Sequence, residues 1–162
     1  MNLILKNAII VDSNSNHHFQ KKDILIESGI IKKIEDDIKV NDEKVISFKN
    51  LHISNGWFDS SVSFGEPGFE ERETLENGLK TSSKSGFTDI ILNPNTNPVI
   101  DSHSSVSHIY KKTNNSATNL HVLASLTKES LGNEMAELYD MHIAGAVAFG
   151  DYKKTLNNSN IL

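Results

Sequence analysis

Asp59-Ser60-Ser61-Val62-Ser63-Phe64-Gly65-Glu66-Pro67-Gly68 lies where an apolar strand pattern, 53–62, passes through a polar loop into a helical pattern, 72–85. Alternate residues of a strand face the same side, so Ser61 and Ser63 point together at the strand's end. Gly65 brings no side chain, Pro67 fixes φ, and Gly68 permits a sharp bend. Strand, loop and helix in that order open a βα unit, and the order recurs. Strand patterns fall at 87–92, 119–126 and 146–149, with helical patterns at 102–112 and 132–143 between them. Such alternation marks a parallel sheet covered by helices. The helix at 72–85 has Leu75 and Leu79 at i,i+4 spacing and the acidic Glu70, Glu71 and Glu73 near its positive end.

Upstream the period differs. Short β-branched runs at 3–11, 23–27, 30–34 and 45–48 alternate with polar turns, of which Ser28-Gly29 reads as a tight hairpin. His17 and His18 fall in the polar loop 12–20, where a solvated pair is the simpler reading than a metal site.

Several separate stretches carry a family likeness. Asn55-Gly56-Trp57-Phe58-Asp59 leads into the opening stretch, and Glu66-Pro67-Gly68-Phe69-Glu70 closes it. Gly86-Phe87-Thr88 then precedes Asn93-Pro94-Asn95-Thr96-Asn97-Pro98-Val99-Ile100-Asp101. In that order and spacing the set resembles the N-terminal part of a dihydroorotase, a cyclic amidohydrolase of pyrimidine biosynthesis. The resemblance implies an α/β chain: an N-terminal β-sandwich segment over residues 1–52, then about four βα steps of a TIM-type (β/α)8 barrel over residues 53–162. A full barrel takes about 250 residues, so the chain reads as an N-terminal piece. The family reaction is the metal-dependent interconversion of N-carbamoyl-aspartate and dihydroorotate, with zinc as the metal.

The site departs from that pattern at its centre. The family has a His-x-His pair at the end of the first barrel strand and an arginine two residues on; here those places hold Ser61, Ser63 and Gly65. Zinc sites are built from thiolate, imidazole and carboxylate, so a neutral serine hydroxyl is a poor replacement. Nor does glycine reproduce the planar, bidentate grip of an arginine on a substrate carboxylate. Asn95 matches the family's substrate-binding asparagine, and its alternative is a rigid Pro/Asn loop. Asp151, after Gly145-Ala146-Val147-Ala148-Phe149-Gly150, stands either for a metal-bridging carboxylate of the family or for an ordinary turn or cap residue. Asp59 is not a metal ligand in the family and speaks for fold, orienting the strand end through backbone hydrogen bonds. Active sites of these barrels lie at the C-terminal ends of the strands, so Ser61, Ser63, Asn95 and Asp151 are expected to converge there.

The remaining histidines do not restore a site. His103 and His108 are five apart on one helix, off the i,i+4 spacing of a metal pair; His121 falls inside a strand and His142 near a helix end. No Gly-x-Ser-x-Gly elbow, P-loop or dinucleotide fingerprint is present. The 162 residues carry 16 Lys and Arg against 21 Asp and Glu, with no basic stripe for nucleic acid. Cysteine is absent, which excludes disulfides and thiolate metal sites. No apolar run approaches the roughly 18 residues of a membrane span, and no signal pattern opens the chain, so the cytoplasm is the expected location. Three readings follow. They are an active dihydroorotase or related cyclic amidohydrolase with a remodelled metal site completed by residues beyond this chain, a non-catalytic homologue that binds no zinc, and a truncated product; the loss of both histidines and the arginine makes an inactive chain the expectation. For the second, aspartate transcarbamoylase or self-association supplies the expected partner.

Overall fold

A computed structural model describes residues 2–158 and 161. The chain divides into two compact units, 1–55 and 56–162.

The first unit is one five-stranded sheet. Strand β1 (Asn2–Val11) pairs antiparallel with β2 (Lys21–Glu27), which pairs antiparallel with β3 (Ile30–Glu35). On its other edge β1 receives β4 (Lys44–Ile46) and then β5 (His52–Ser54), both parallel. Ser28 and Gly29 turn between β2 and β3 with φ of 50° and 79°, the doubly left-handed geometry that suits a two-residue hairpin. Alternation gives the sheet two apolar faces: Ile4 and Leu25 pack with Ile38 on one, and Ala8, Ile10 and Ile24 cluster on the other.

Register in β1 shifts between Leu5 and Ala8, where Asn7 takes a φ of 56°. The irregularity is held by a buried carboxylate. Asp23 is 2 % exposed and accepts from Asn7 N at 2.8 Å, Ile38 N at 3.0 Å and the Lys6 ammonium. Burial pushes the Asp23 carboxyl up, but the Lys6 hydrogen bond and the two amides outweigh it and hold the pKa below its ordinary value. A depressed carboxylate contributes stability above its unfolded pKa, near 3.9, and loses it as pH falls through the folded value. Asp23→Asn is therefore expected to weaken this unit by roughly 1–3 kcal/mol at neutral pH. The variant should also flatten its acid sensitivity. Amide exchange at Asn7 and Ile38 between pH 7 and pH 3 measures both, and equal acid dependence in variant and wild type would refute the assignment.

The second unit holds four parallel strands in sequential order, β6 (Trp57–Val62), β7 (Phe87–Leu92), β8 (Asn119–Ala124) and β9 (Ala148–Phe149). Helices α1 (Leu75–Lys84), α2 (His103–Thr113) and α3 (Leu138–Ile143) make the crossovers. Ile90, Leu92, Leu120, Val122 and Ala124 face the helices and pack with Leu75, Leu79, Val106, Ile109 and Met141. This is a curled half-barrel sheet with its helices on the outer side.

Three expected elements differ. The 53–62 pattern is two strands: β5 pairs with β1, and β6 starts a new sheet after Asn55 and Gly56. Helix α1 begins three residues later than expected because Thr74 caps it, its hydroxyl accepting from Asn77 N at 3.2 Å. The 132–143 pattern becomes a helix only from Leu138. Residues 127–136 instead fold into a hooked turn, with a bridge between Thr127 and Met135 and left-handed backbone at Glu129, Ser130 and Gly132. Left-handed residues cannot continue a right-handed helix. Among the described residues no helix is long and apolar enough to cross a membrane.

Candidate functional site

Strand β6 ends at Val62, and its ladder continues one step beyond β7 through Asn93 N to Val62 O at 2.9 Å. That contact brings the chain after β7 against the chain after β6. Asp59 Oδ1 accepts from Ser61 N at 3.0 Å, which orients the strand end as expected of an aspartate outside the metal set.

A neutral hydrogen-bond network occupies this corner. Asn93 is 1 % exposed, and its Nδ2 donates to Ser61 Oγ at 3.1 Å and to Ser63 Oγ at 3.3 Å. Ser63 Oγ in turn donates to Asn95 Oδ1 at 3.1 Å. Tyr152 enters from the loop after β9, with Ser63, Lys153 and Ser61 as side-chain partners. The Ser63 hydroxyl first, then Lys153, holds its phenol below the usual range. Ser61, Ser63 and Asn95 thus come together, with Asn93 joining the two serines and Ser63 reaching Asn95. Asn93 had a sequence signal: it sits two residues before Asn95, the spacing that puts both on one side of an extended chain. Tyr152 had none.

Asp151 goes elsewhere. Its Oδ1 accepts from Ser125 Oγ at 2.7 Å and from Leu126 N and Thr127 N at 3.0 Å each, and its Oδ2 accepts from the Thr127 hydroxyl. Burial pushes this carboxyl up, but the Thr127 and Ser125 hydroxyls and the two amides outweigh it and hold the pKa low. Both oxygens hold the hooked turn after β8.

Gly65 is shut in. A Cβ there would lie 1.7 Å from Phe69 O and 2.6 Å from Phe69 C, because Phe69 N donates to Gly65 O and Gly65 N donates to Glu73 O. The place of the expected arginine has no room for any side chain. Next to it Glu66, 5 % exposed, anchors the loop: Oε2 accepts from Leu75 N at 2.7 Å, at the start of α1, and Oε1 takes the Lys112 ammonium of α2. Gly68 lies against Asn97, whose N donates to Pro67 O at 2.9 Å. The Glu66-Pro67-Gly68 triplet shapes the loop, and its glutamate also ties two helices to it.

His121 Nε2 meets Asp89 Oδ1 at 3.0 Å across β8 and β7, and His18 Nδ1 accepts from Asp12 N at 3.1 Å in the first unit. No cluster of three or more His, Cys, Asp or Glu able to hold a metal occurs among the described residues. The donors at the β6 end are two hydroxyls, two amides and a phenol. Zinc calls for imidazole, thiolate or carboxylate, so this set does not fit it.

Residues 52–161 match the family described as Dihydro-orotase-like. The chain is 36 % identical over 154 residues to a dihydroorotase of Elusimicrobium minutum, covering 93 % of itself and 35 % of that protein. To a dihydroorotase of Aquifex aeolicus it is 35 % identical over 164 residues, covering 100 % of itself and 38 % of the relative. It therefore spans little more than a third of the length of these curated relatives. Among solved structures, an L-hydantoinase (dihydropyrimidinase) from Arthrobacter aurescens superposes with a TM-score of 0.74 at 22 % identity, over 91 % of this chain and 32 % of that one. A dihydroorotase superposes at 0.62 and 13 % identity, over 91 % and 41 %. The structural likeness carries the fold, a barrel begun by four parallel strands, and the matched residues carry the lineage: the chain belongs to the dihydroorotase-like family.

Proposed function

We propose that this chain is a dihydroorotase-family protein that does not perform the family's interconversion of N-carbamoyl-aspartate and dihydroorotate and binds no zinc at the end of β6. The observation that carries the reading is the double donation from Asn93 to Ser61 and Ser63. Metal-dependent amide hydrolysis needs a cation to polarise the carbonyl and to lower the pKa of a bound water. Neutral hydroxyls that each already accept from a buried amide bring no charge to a cation and only a weakly donating lone pair. Asn95, taken by the Ser63 hydroxyl, keeps an amide that can still pair with a carboxylate or ureido group.

A role as a non-catalytic scaffold is favoured by what is kept. Glu66, Gly68 and the contacts around Gly65 maintain the loop that would support a site, so the fold has been retained where the ligands have not. By family resemblance the partner would be aspartate transcarbamoylase in the cytoplasm, and the N-terminal sheet would be one layer of a β-sandwich. The opposing reading is a remodelled active enzyme whose ligands come from residues outside this chain.

Zinc equilibrium dialysis with elemental analysis, run beside an assay of ring closure and opening, tests the proposal. The expected result is well below one zinc per chain and no turnover above the uncatalysed rate. Stoichiometric zinc accompanied by turnover, lost again on chelation, would overturn it.

A further inference from the structure

We propose that Asn55 is a site of spontaneous backbone modification, converting through a succinimide to aspartate and isoaspartate, while Asn77 stays intact. This goes beyond the non-catalytic reading and does not rest on it. The chain holds two Asn-Gly pairs, Asn55-Gly56 and Asn77-Gly78, which local sequence makes alike. In the reaction the glycine nitrogen, having given up its proton to a solvent base, attacks the asparagine Cγ. The N–Cγ bond forms, the Cγ–Nδ2 bond breaks, and ammonia leaves. Water then opens the ring at either carbonyl: breaking N–Cγ leaves an aspartate, and breaking the original peptide bond leaves an isoaspartate whose main chain runs through the side chain.

The structure separates the two pairs. Asn55 and Gly56 follow the end of β5 at Ser54 and precede the start of β6 at Trp57, and Gly56 N donates to no backbone carbonyl among the described residues. The nucleophile is therefore not tied into a ladder. Ser54 Oγ donates to Asn55 O at 2.9 Å. That oxygen shares a peptide group with Gly56 N and takes up negative charge when the nitrogen loses its proton, so this hydrogen bond strengthens as the attacking form develops. Glycine also leaves the nitrogen uncovered, and packing forbids a substitute: an added Cβ would lie 2.0 Å from Thr88 Cγ2 and 2.7 Å from Thr88 Cβ, which no rotamer moves. Asn77-Gly78 meets the opposite conditions. Gly78 N donates to Thr74 O at 2.9 Å in α1, and Asn77 Nδ2 donates to Glu73 Oε1 at 2.9 Å. Ring closure needs the asparagine ψ turned out of the helical well, which breaks the helix bond on that nitrogen.

Trypsin separates the sites, leaving Asn55 in peptide 50–72 and Asn77 in peptide 73–80. The folded 162-residue chain is incubated at mildly alkaline pH, and both peptides are followed by tandem mass spectrometry, which distinguishes Asn55 from Asn50. Methylation by an isoaspartyl methyltransferase marks the rearranged product. Amide loss at Asn55 should outrun that at Asn77 by about tenfold or more, because only the first pair can reach the attack geometry. In urea the two rates should converge. Ser54→Ala, its fold checked by circular dichroism, should slow the reaction at Asn55 by about threefold to tenfold, the worth of one hydrogen bond. Equal rates in the folded chain, a gap that persists in urea, or an unchanged rate in folded Ser54→Ala would each overturn the proposal.

Discussion

Gly65→Ala is expected to destabilise the second unit by about 3–5 kcal/mol, the range that marks a backbone or packing clash rather than a lost contact. For a unit of this size that lowers the unfolding midpoint by on the order of 10 °C or more. The cause is steric. Gly65 does not use a left-handed φ, and an added Cβ would sit 1.7 Å from the Phe69 carbonyl oxygen, a backbone atom that no rotamer change can move. Relief requires opening the loop, which costs the Phe69 N to Gly65 O bond and the two bonds that Gly65 N and Glu66 N send to Glu73 O. Glu66 would move with it, and with Glu66 its ties to Leu75 N and Lys112. Gly150→Ala is the control. No atom lies within 4 Å of a Cβ built there, so its effect should stay within about 0.5 kcal/mol. Thermal melts of the two variants beside wild type decide the matter, and equal midpoints for Gly65→Ala and wild type would sink the argument.

The same geometry bears on installing the family's His-x-His pair and arginine in this chain. Ser61→His and Ser63→His replace side chains that are exposed, although they must displace the Asn93 amide. Gly65→Arg places the same forbidden Cβ as alanine before its guanidinium can reach anything. The imidazoles and the arginine are therefore not equivalent substitutions. Two are substitutions at a surface corner and the third demands a different loop.

The alternation of strand and helix was readable because burial imposes it directly. Strand β7 matches its apolar run, and α2 starts within one residue of its pattern, since Ser102 and Ser105 form a reciprocal cap visible as serines ahead of Val106. Where hydrogen bonds from distant residues decide the backbone, periodicity misled. Met135, Leu138 and Met141 are spaced like one helical face, yet Thr127 and Asp151 hold residues 127–136 in a hooked turn. The site was legible in the same measure. Ser61 and Ser63 share a side because strand geometry makes them share it, and Asn95 reaches them from the next loop. That Asp151 holds the turn after β8 while Tyr152 turns toward the serines depends on loop paths that no local pattern encodes.

Asp151→Ala is expected to cost about 3–5 kcal/mol, because a buried charge-assisted network loses its acceptor. Leu126 N and Thr127 N would keep no partner in a loop where Ser125 and Thr127 are fully buried, and each stranded amide costs about 1–3 kcal/mol. The hydroxyls fare better: Ser125 Oγ also lies 2.7 Å from Thr127 O and 2.6 Å from Ser130 Oγ, and Thr127 Oγ1 still accepts from Gly132 N. Asp151→Asn separates charge from shape. Its carbonyl oxygen can keep the three donors that Oδ1 now serves, and its amide can donate to the Thr127 hydroxyl, so a loss of only about 1 kcal/mol is expected. The pH dependence follows from the lowered pKa. The carboxylate's contribution is fully present above its unfolded pKa, near 3.9, and drains as pH falls through the lower folded value. Wild type should therefore lose stability in acid that Asp151→Asn, with nothing to protonate there, does not lose. A metal-ligating carboxylate predicts a different pattern, in which Asn and Ala leave the melting temperature of the metal-free protein nearly alone and change only the response to added zinc. Melts of the three proteins from pH 7 to pH 3, each with zinc and with chelator, distinguish the turn-holding role from the ligand role by which of these columns moves.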